Sequence, residues 1–221
     1  MKINDHYNAY LASLLRGDRA FCANVVRQAL AAGMPIKTLY SELFHTSLYQ
    51  VGQLWQTNQI SVAAEHLATA TTESVMSQVV APTLFSHDPI GRSMIVACIA
   101  NEFHQIGGRM VADISETKGW DTYFMGANTP MVDLLNMIEK QHADVLALSI
   151  AVFFNLPTLR TVIEEVRRYY PDLPIWLGGQ MFCWGGQELS EQYSGVNVFS
   201  SLNQLEIELD RFGTLKPLIS P

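Results

Sequence analysis

The sequence predicts two domains, an N-terminal four-helix bundle and an α/β domain with a five-stranded parallel sheet. Residues 1–86 carry apolar residues at helical spacing, interrupted only by short connections. Residues 92–221 instead alternate short apolar runs with amphipathic segments, which is the pattern of successive strand–helix–strand units. Residues 87–91 contain proline, glycine and aspartate, and these turn-forming residues predict a linker.

The four predicted helices of the bundle follow from caps, breakers and apolar periodicity. Asp18 and Ser61 each precede an apolar-periodic segment and are predicted to cap it, because their side-chain oxygens can accept from backbone N–H groups of the first turn. Short connections favour an antiparallel arrangement. The helices are expected from Asp5 to Leu15, from Asp18 to Gly33, from Ile36 past Trp55, and from Ser61 to about Leu84.

The α/β domain is predicted to have helices on both faces of its sheet. Thr129 is expected to cap its second helix, with Pro130 at the first helical position. The predicted strands are Met94–Cys98, Thr122–Met125, Val145–Ser149, Ile175–Leu177 and Val196–Phe199. The predicted helices are Gly108–Lys118, Met131–Gln141, Thr158–Tyr170, Gly186–Tyr193 and Asn203–Phe212.

Composition excludes several classes of function. The net charge is −7 at pH 7 and no long basic run is present, so direct DNA binding is not expected. No leader-like segment and no apolar stretch near the roughly 20 residues of a membrane span is found, so a cytoplasmic protein without membrane association is expected. Cys22, Cys98 and Cys183 are far apart and are expected to be buried free thiols.

The stretch after the first predicted strand carries the main candidate for chemistry. His104 lies at a carboxyl-terminal strand edge, where open α/β sheets bind ligands, and its imidazole could hold a transition metal or a metal-centred cofactor. Glu102 could accept a hydrogen bond from the ring nitrogen that faces away from the metal. Gly107 and Gly108 are expected to open the next helix and to let the backbone approach a large ligand. Taken alone, a single histidine in such a loop is more often a surface residue or a residue with its hydrogen bonds satisfied than a ligand.

Two further strand ends face the same edge of the predicted sheet. Ser149 ends the third strand, and Gly178 and Gly179 follow the fourth. A small hydroxyl and two residues without side chains would suit a long ligand portion passing between strands and helices. The alternatives are a strand-end cap for Ser149 and a tight turn for the glycines.

The fourth helix of the bundle carries an unusual face. Val62, Glu65, His66 and Thr69 share it at i, i+3, i+4 and i+7 spacing, and Trp55 precedes them near the end of the third helix. A bundle normally buries apolar residues on such a face, so a carboxylate and an imidazole could point toward a polar ligand. A solvated helix face and a core tryptophan are the alternative.

Three of these motifs together resemble a known family. The run Glu102-Phe-His104-Gln-Ile-Gly107, then Ser149, then Gly178-Gly179, is similar to the fingerprint of cobalamin-binding domains. The resemblance implies a Rossmann-like fold with His104 as the lower axial ligand of cobalt. It also implies a tunnel for the displaced dimethylbenzimidazole tail, lined by Ser149 and the two glycines. The implied cofactor contacts on this domain are Glu102, Gln105, Ile106, Gly107, Ser149, Gly178 and Gly179.

The helical domain resembles the cap over the corrin in methionine synthase and corrinoid carriers. More narrowly, Trp55, nine intervening residues and then Glu65-His66 resemble the signature of light-sensing adenosylcobalamin proteins of the CarH type. The resemblance implies that Trp55 packs over the adenosyl group and that Glu65 and His66 contact it, with Val62 and Thr69 on the same face. In that family a histidine follows the tryptophan, whereas here Gln56 does, so water, His66 or His45 would take the vacated site after light.

The resemblance implies a light sensor that is not an enzyme. Its output would be a light-dependent change in self-association or in binding to a separate signalling partner, without direct DNA contact. The first alternative is a corrinoid methyl carrier that serves a methyltransferase. The second is a photocobilin-like protein that binds biliverdin beside the aromatic residues Phe153-Phe154 and Met181-Phe-Cys-Trp184.

Overall fold

The computed structural model describes residues 3–81 and 88–214 and divides the chain into two compact units, Met1–Phe85 and Ser86–Pro221. The first unit is helical, and the second contains the sheet. Among the residues that the structure describes, no helix is both long and apolar enough to cross a membrane.

The helical unit contains the four predicted helices, with one difference in their internal geometry. Asp18 accepts a hydrogen bond from Phe21 N at 3.0 Å, and Ser61 accepts one from Ala64 N at 3.2 Å, so both predicted caps are confirmed. The third and fourth helices each include a π-helical segment, which the sequence did not predict. The segments are α1 Ile3–Leu15, α2 Arg19–Ala31, α3 Ile36–Thr38, π-helix Leu39–His45, α4 Thr46–Gln56, α5 Val62–Val75 and π-helix Met76–Val80. The predicted end of the fourth helix near residue 84 lies outside the described residues.

The core of the helical unit is built around Tyr10. Its ring lies 5.3 Å from that of Phe44, and its hydroxyl is 3.0 Å from Thr72 Oγ1, so α1 is joined to the third and fourth predicted helices by one side chain. Burial raises the pKa of the Tyr10 phenol, and this keeps the hydroxyl protonated.

The second unit is a five-stranded parallel sheet with helices, as predicted. The strand order is β2-β1-β3-β4-β5. The strands are β1 Ser93–Ala97, β2 Asp121–Phe124, β3 Val145–Ser149, β4 Ile175–Gly178 and β5 Val196–Val198. The α-helices are α6 Ile106–Thr117, α7 Met131–Gln141, α8 Leu156–Tyr169, α9 Leu189–Gln192 and α10 Leu202–Gly213. Short 3₁₀ turns span Phe153–Asn155 and Gln180–Cys183.

The strand order fixes where a ligand can enter. After β1 the chain moves outward to β2, then returns to place β3 on the other side of β1. Connections that leave neighbouring strands in opposite directions open a crevice at their carboxyl ends, which is the usual ligand position in such sheets. The loop with His104 follows β1, and Ser149 ends β3, so both lie at this point.

Two helix starts differ from the prediction. The helix expected from Gly186 to Tyr193 is reduced to α9, because Gly185 and Gly186 have φ values of 151° and 91°, outside the helical region. Pro130 itself occupies the cap position of α7, and Thr129 instead pairs with Ile99 in an isolated parallel bridge, so the predicted Thr129 cap is wrong.

Two further expectations need correction. The helix predicted to open at Gly107-Gly108 begins earlier, at Ile106, so both glycines lie inside its first turn. Cys22 and Cys98 are buried as expected, but Cys183 is exposed because it ends a short 3₁₀ turn at the surface.

Candidate functional site

The loop that carries His104 is held on one side by the loop after β2. Asn128 N donates to Glu102 O at 2.8 Å, and Ala127 N donates to the Gln105 side chain at 3.1 Å. In return, Asn101 N donates to Asn128 Oδ1 at 2.8 Å. Asn101 and Asn128 have φ values of 67° and 52°, a left-handed conformation that asparagine tolerates better than most residues. The backbone on both sides of His104 is therefore fixed by the neighbouring loop.

The Glu102 carboxylate joins this loop to the one after β3. Its Oε1 accepts from His104 N at 3.0 Å and lies 2.7 Å from His104 Nδ1. Its Oε2 accepts from Ala151 N at 3.0 Å, Val152 N at 3.2 Å and Asn155 Nδ2 at 3.0 Å. The carboxylate is completely buried, and burial alone would raise its pKa. The hydrogen bonds from His104, Asn155 and Val152 outweigh burial and lower the pKa of Glu102 to about 2.

This arrangement determines which ring nitrogen of His104 donates to Glu102. An ionised carboxylate can only accept, so Nδ1 donates the 2.7 Å hydrogen bond, and Nε2 is the ring nitrogen that does not contact this carboxylate. The His104 side chain is 62% exposed, while its carboxylate partner is buried. An imidazole held at Nδ1 by a carboxylate and exposed to solvent is suited to bind a metal through Nε2 when that nitrogen carries no proton. The hydrogen bond that the sequence predicted for this pair is present.

The two glycines of α6 pack closely on the sheet. A Cβ on Gly107 would lie 3.3 Å from Ser149 Oγ. A Cβ on Gly108 would lie 3.3 Å from Ser149 Cβ and 3.1 Å from the ring of Phe124. The close approach that these glycines permit in the structure is thus to β2 and β3, and their contact with a ligand remains a prediction.

Gly178 and Gly179 have different roles in the backbone. Gly178 ends β4 and pairs with Ser149, and a Cβ there would lie 3.7 Å from Phe199 O, an ordinary contact. Gly179 has φ 115°, and a Cβ there would lie 2.2 Å from Ile150 O, which no side chain can occupy. The tight turn is therefore sufficient to explain Gly179, while Gly178 has room beside it.

The candidate residues of the helical unit lie on α4 and α5. Trp55 is 45% exposed near the end of α4, and Val62 is also exposed at the start of α5. Glu65 Oε1 accepts from Thr69 Oγ1 at 3.1 Å, and its Oε2 lies 3.6 Å from His66 Nε2. Trp55 is thus not a core tryptophan, and the Glu65 carboxylate is fixed by its neighbours on one helix.

The aromatic residues predicted at the sheet edge fall into two groups. Phe182 is buried in the core together with Met181, whereas Phe153, Phe154 and Trp184 are exposed. A Cβ on Gly185 would lie 3.2 Å from the Phe153 ring, so the loops after β3 and β4 meet here. One of the four predicted aromatic residues, Phe182, is therefore ordinary core, and the other three are exposed.

Sequence reasoning missed Asn155. It is almost completely buried, and its amide donates to Glu102 Oε2 at 3.0 Å and to Asn101 O at 3.4 Å. Its only signal in the sequence is its place shortly after a buried strand, just ahead of α8.

Comparison with known proteins gives consistent matches. Two family models, both described as a B12 binding domain, match residues 7–79 and 92–199. The transcriptional repressor CarH of Myxococcus xanthus is 26% identical over 181 residues, which is 79% of this chain and 58% of CarH. The repressor CarA of the same organism is 31% identical over 122 residues, 55% of this chain and 41% of CarA. The chain thus spans less than two thirds of either relative.

A solved structure matches the whole arrangement of elements. The monomethylamine corrinoid protein of Methanosarcina barkeri superposes with a TM-score of 0.79, covering 94% of this chain and 99% of that protein, at 13% identity. At this identity the likeness shows a common fold.

Proposed function

Because the chain belongs to the family of B12-binding domain proteins, we propose that it is a cobalamin-binding light sensor that takes adenosylcobalamin. The observation that carries the proposal is the His104–Glu102 pair, in which a buried carboxylate fixes an exposed imidazole through its Nδ1. The pair fits a cobalt corrinoid because imidazole is a suitable ligand for such metals, and the carboxylate raises its basicity.

The residues of this chain divide the binding task between them. His104 would hold the cobalt, and Glu102 would keep its ring in the required tautomer. Ser149 and Gly178, which pair across β3 and β4, would receive the nucleotide tail together with Gly179. Gln105, Ile106 and Gly107 lie directly beside His104 in the chain and would contact the corrin.

Trp55, Val62, Glu65, His66 and Thr69 are assigned to the adenosyl group. When bound, adenosylcobalamin supplies a cobalt–carbon bond that visible light breaks. Trp55 would pack against this group in the dark and lose that contact after light, and its 45% exposed side chain leaves surface for such a contact. A change in self-association or in contact with a signalling partner would carry the output.

The test is reconstitution with adenosylcobalamin in the dark, followed by absorbance and size-exclusion chromatography before and after green light. We expect tight binding, a His-ligated dark spectrum, a spectral change on illumination and a change in elution. His104→Ala should lose the histidine-ligated spectrum. The control is His142→Asn, since His142 is an exposed histidine with φ 48°, a conformation that asparagine accepts. An identical spectrum in wild type and His104→Ala would refute His104 as the ligand.

The second candidate is a corrinoid methyl carrier for a methyltransferase, since the monomethylamine corrinoid protein from Methanosarcina barkeri has the same fold over nearly its whole length. A carrier would bind methylcobalamin at least as tightly as adenosylcobalamin. Trp55→Ala separates the two functions. In a sensor the variant should weaken adenosylcobalamin binding. Methylcobalamin binding should be unchanged whether the protein is a sensor or a carrier.

Binding of a bilin remains a further prediction. Phe153, Phe154 and Trp184 offer exposed aromatic surface, although Phe182 is committed to the core. A red absorbance band after addition of biliverdin, lost in Phe154→Ala, would support it. Unchanged spectra would count against it.

A further inference from the structure

The helix that carries Trp55 contains a wide turn in its middle. The chain is continuously helical from Ile36 to Gln56, with the π-helical segment Leu39–His45 between two α-helical parts. Trp55 lies ten residues beyond this segment. Segments of this kind are rare and occur often at functional sites, so its position on the Trp55 helix needs an explanation.

Side-chain hydrogen bonds mark the wide turn. On a regular α-helix the residues buried here would lie within about 140° of one another, so burial alone does not require a wide turn. Thr46 Oγ1 reaches back five residues to Ser41 O at 2.9 Å and closes the turn, and Ser41 Oγ donates to Lys37 O at 2.9 Å. The buried residues are Leu39, Tyr40, Leu43, Phe44, Ser47 and Val51.

One buried group is left unsatisfied by this register. Ser47 is completely buried directly after the π-helical segment, and its hydroxyl finds no hydrogen-bond partner within residues 3–81 and 88–214. In a regular helix a serine hydroxyl can bond to the carbonyl four residues back, as Ser13 does to Ala9 O at 2.7 Å. The present register therefore leaves the Ser47 hydroxyl unsatisfied, and a change of register would move this hydroxyl relative to the helix carbonyls.

We propose that the π-helical segment Leu39–His45 is a register switch that sets the direction of Trp55. Conversion of the wide turn to α-helix would rotate everything after it by about 100° and move it about 1.5 Å along the axis. Trp55 would then leave its present orientation without any unfolding of α4. This inference rests on one part of the proposed function, namely that Trp55 contacts the adenosyl group of the cofactor.

The first experiment uses the protein without cofactor and measures amide hydrogen exchange in Leu39–His45. Ser47→Ala removes the unsatisfied hydroxyl and should stabilise the present register, which slows exchange about tenfold. Ser13→Ala is the matched control, since Ser13 is an equally buried serine whose hydroxyl is already bonded, and it should not slow exchange there. Unchanged or faster exchange in Ser47→Ala would overturn the proposal.

The second experiment follows Trp55 in the protein loaded with adenosylcobalamin. With 5-fluorotryptophan incorporated, the ¹⁹F resonance of Trp55 is expected to shift on green light in the wild type and to shift much less in Ser47→Ala. Deletion of the exposed Glu42 should convert the wide turn to α-helix and also suppress the shift. Equal shifts in all three proteins would overturn the switch.

The two experiments separate the switch from the proposed function. If the wild type does not bind adenosylcobalamin, the proposed function fails, and the exchange rates in the protein without cofactor decide the switch. If the wild type binds adenosylcobalamin and responds to light, the ¹⁹F shift of Ser47→Ala decides whether the register switch exists. Ser47→Ala is a small substitution and keeps the fold, so the test stands even if the Glu42 deletion variant does not fold.

Discussion

Replacing Glu102 by glutamine tests the central hydrogen-bond network of the α/β unit. The substitution keeps the size of the side chain but replaces one acceptor oxygen with an NH₂ group. Every group around the carboxylate is a donor, two at Oε1 and three at Oε2. With the NH₂ group in place of Oε2, the N–H groups of Ala151, Val152 and Asn155 lose their acceptor; in place of Oε1, His104 N loses its acceptor. Each loss of an acceptor by a buried donor costs about 1–3 kcal/mol.

The lowered pKa of Glu102 gives a second estimate of the free energy of unfolding that Glu102→Gln removes. A decrease from 4.5 to about 2 corresponds to about 3 kcal/mol of stabilisation when the carboxylate is ionised in both states. Because the folded-state pKa is lowered, this contribution is fully present above pH 4.5 and is lost as the pH falls toward 2. We therefore expect Glu102→Gln to lower the free energy of unfolding by about 3 kcal/mol at pH 7 and by much less near pH 3.

The assay is urea unfolding of the protein without cofactor, at pH 7 and pH 3. The buried Trp120 and Trp176 report the α/β unit by fluorescence. Glu191→Gln is the control, because Glu191 is exposed and its substitution should change stability by less than about 0.5 kcal/mol. A loss below that value for Glu102→Gln at pH 7, or the same loss at both pH values, would refute the reasoning.

Two other predictions concern glycine geometry and thiol reactivity. Gly179→Ala should destabilise the α/β unit by more than about 3 kcal/mol, because the new Cβ would lie 2.2 Å from Ile150 O. Gly178→Ala should lower the free energy of unfolding by about 1 kcal/mol. Similar urea midpoints for the two variants would contradict this prediction. With a thiol reagent at pH 8, Cys183 should react first, because burial raises the pKa of Cys22 to about 11 and of Cys98 to about 12. Equally fast reaction of all three thiols in the folded protein would show that this burial is wrong.

The sequence predicts local features of this molecule well. The two-residue spacing of Glu102 and His104 was enough to predict their hydrogen bond, because both lie in one loop and the side chains reach each other without help from the rest of the fold. The same holds for Asp18 and Ser61, whose caps depend on the next three residues alone. The strands could be predicted from short apolar runs, because helices cover both faces of a parallel sheet and its strands are therefore rich in apolar residues.

Features that depend on tertiary position were not predictable in the same way. Asn155 meets Glu102 only because β3 is next to β1, and strand order is not written in the periodicity of either strand. The wide turn at Leu39–His45 includes Phe44, whose ring packs on Tyr10 of α1, and the apolar spacing of this helix did not predict the turn. The helix predicted at Gly186 failed because two consecutive glycines took conformations outside the helical region.

The position of His104 is therefore a property of the sheet as a whole. Glu102 uses one oxygen on the loop after β1 and the other on the loop after β3, so the carboxylate holds together two loops that are adjacent only through the strand order. Because the same buried carboxylate accepts from Ala151, Val152 and Asn155, the loop of His104 and the loop after β3 are held by one group, and loss of that group would release both.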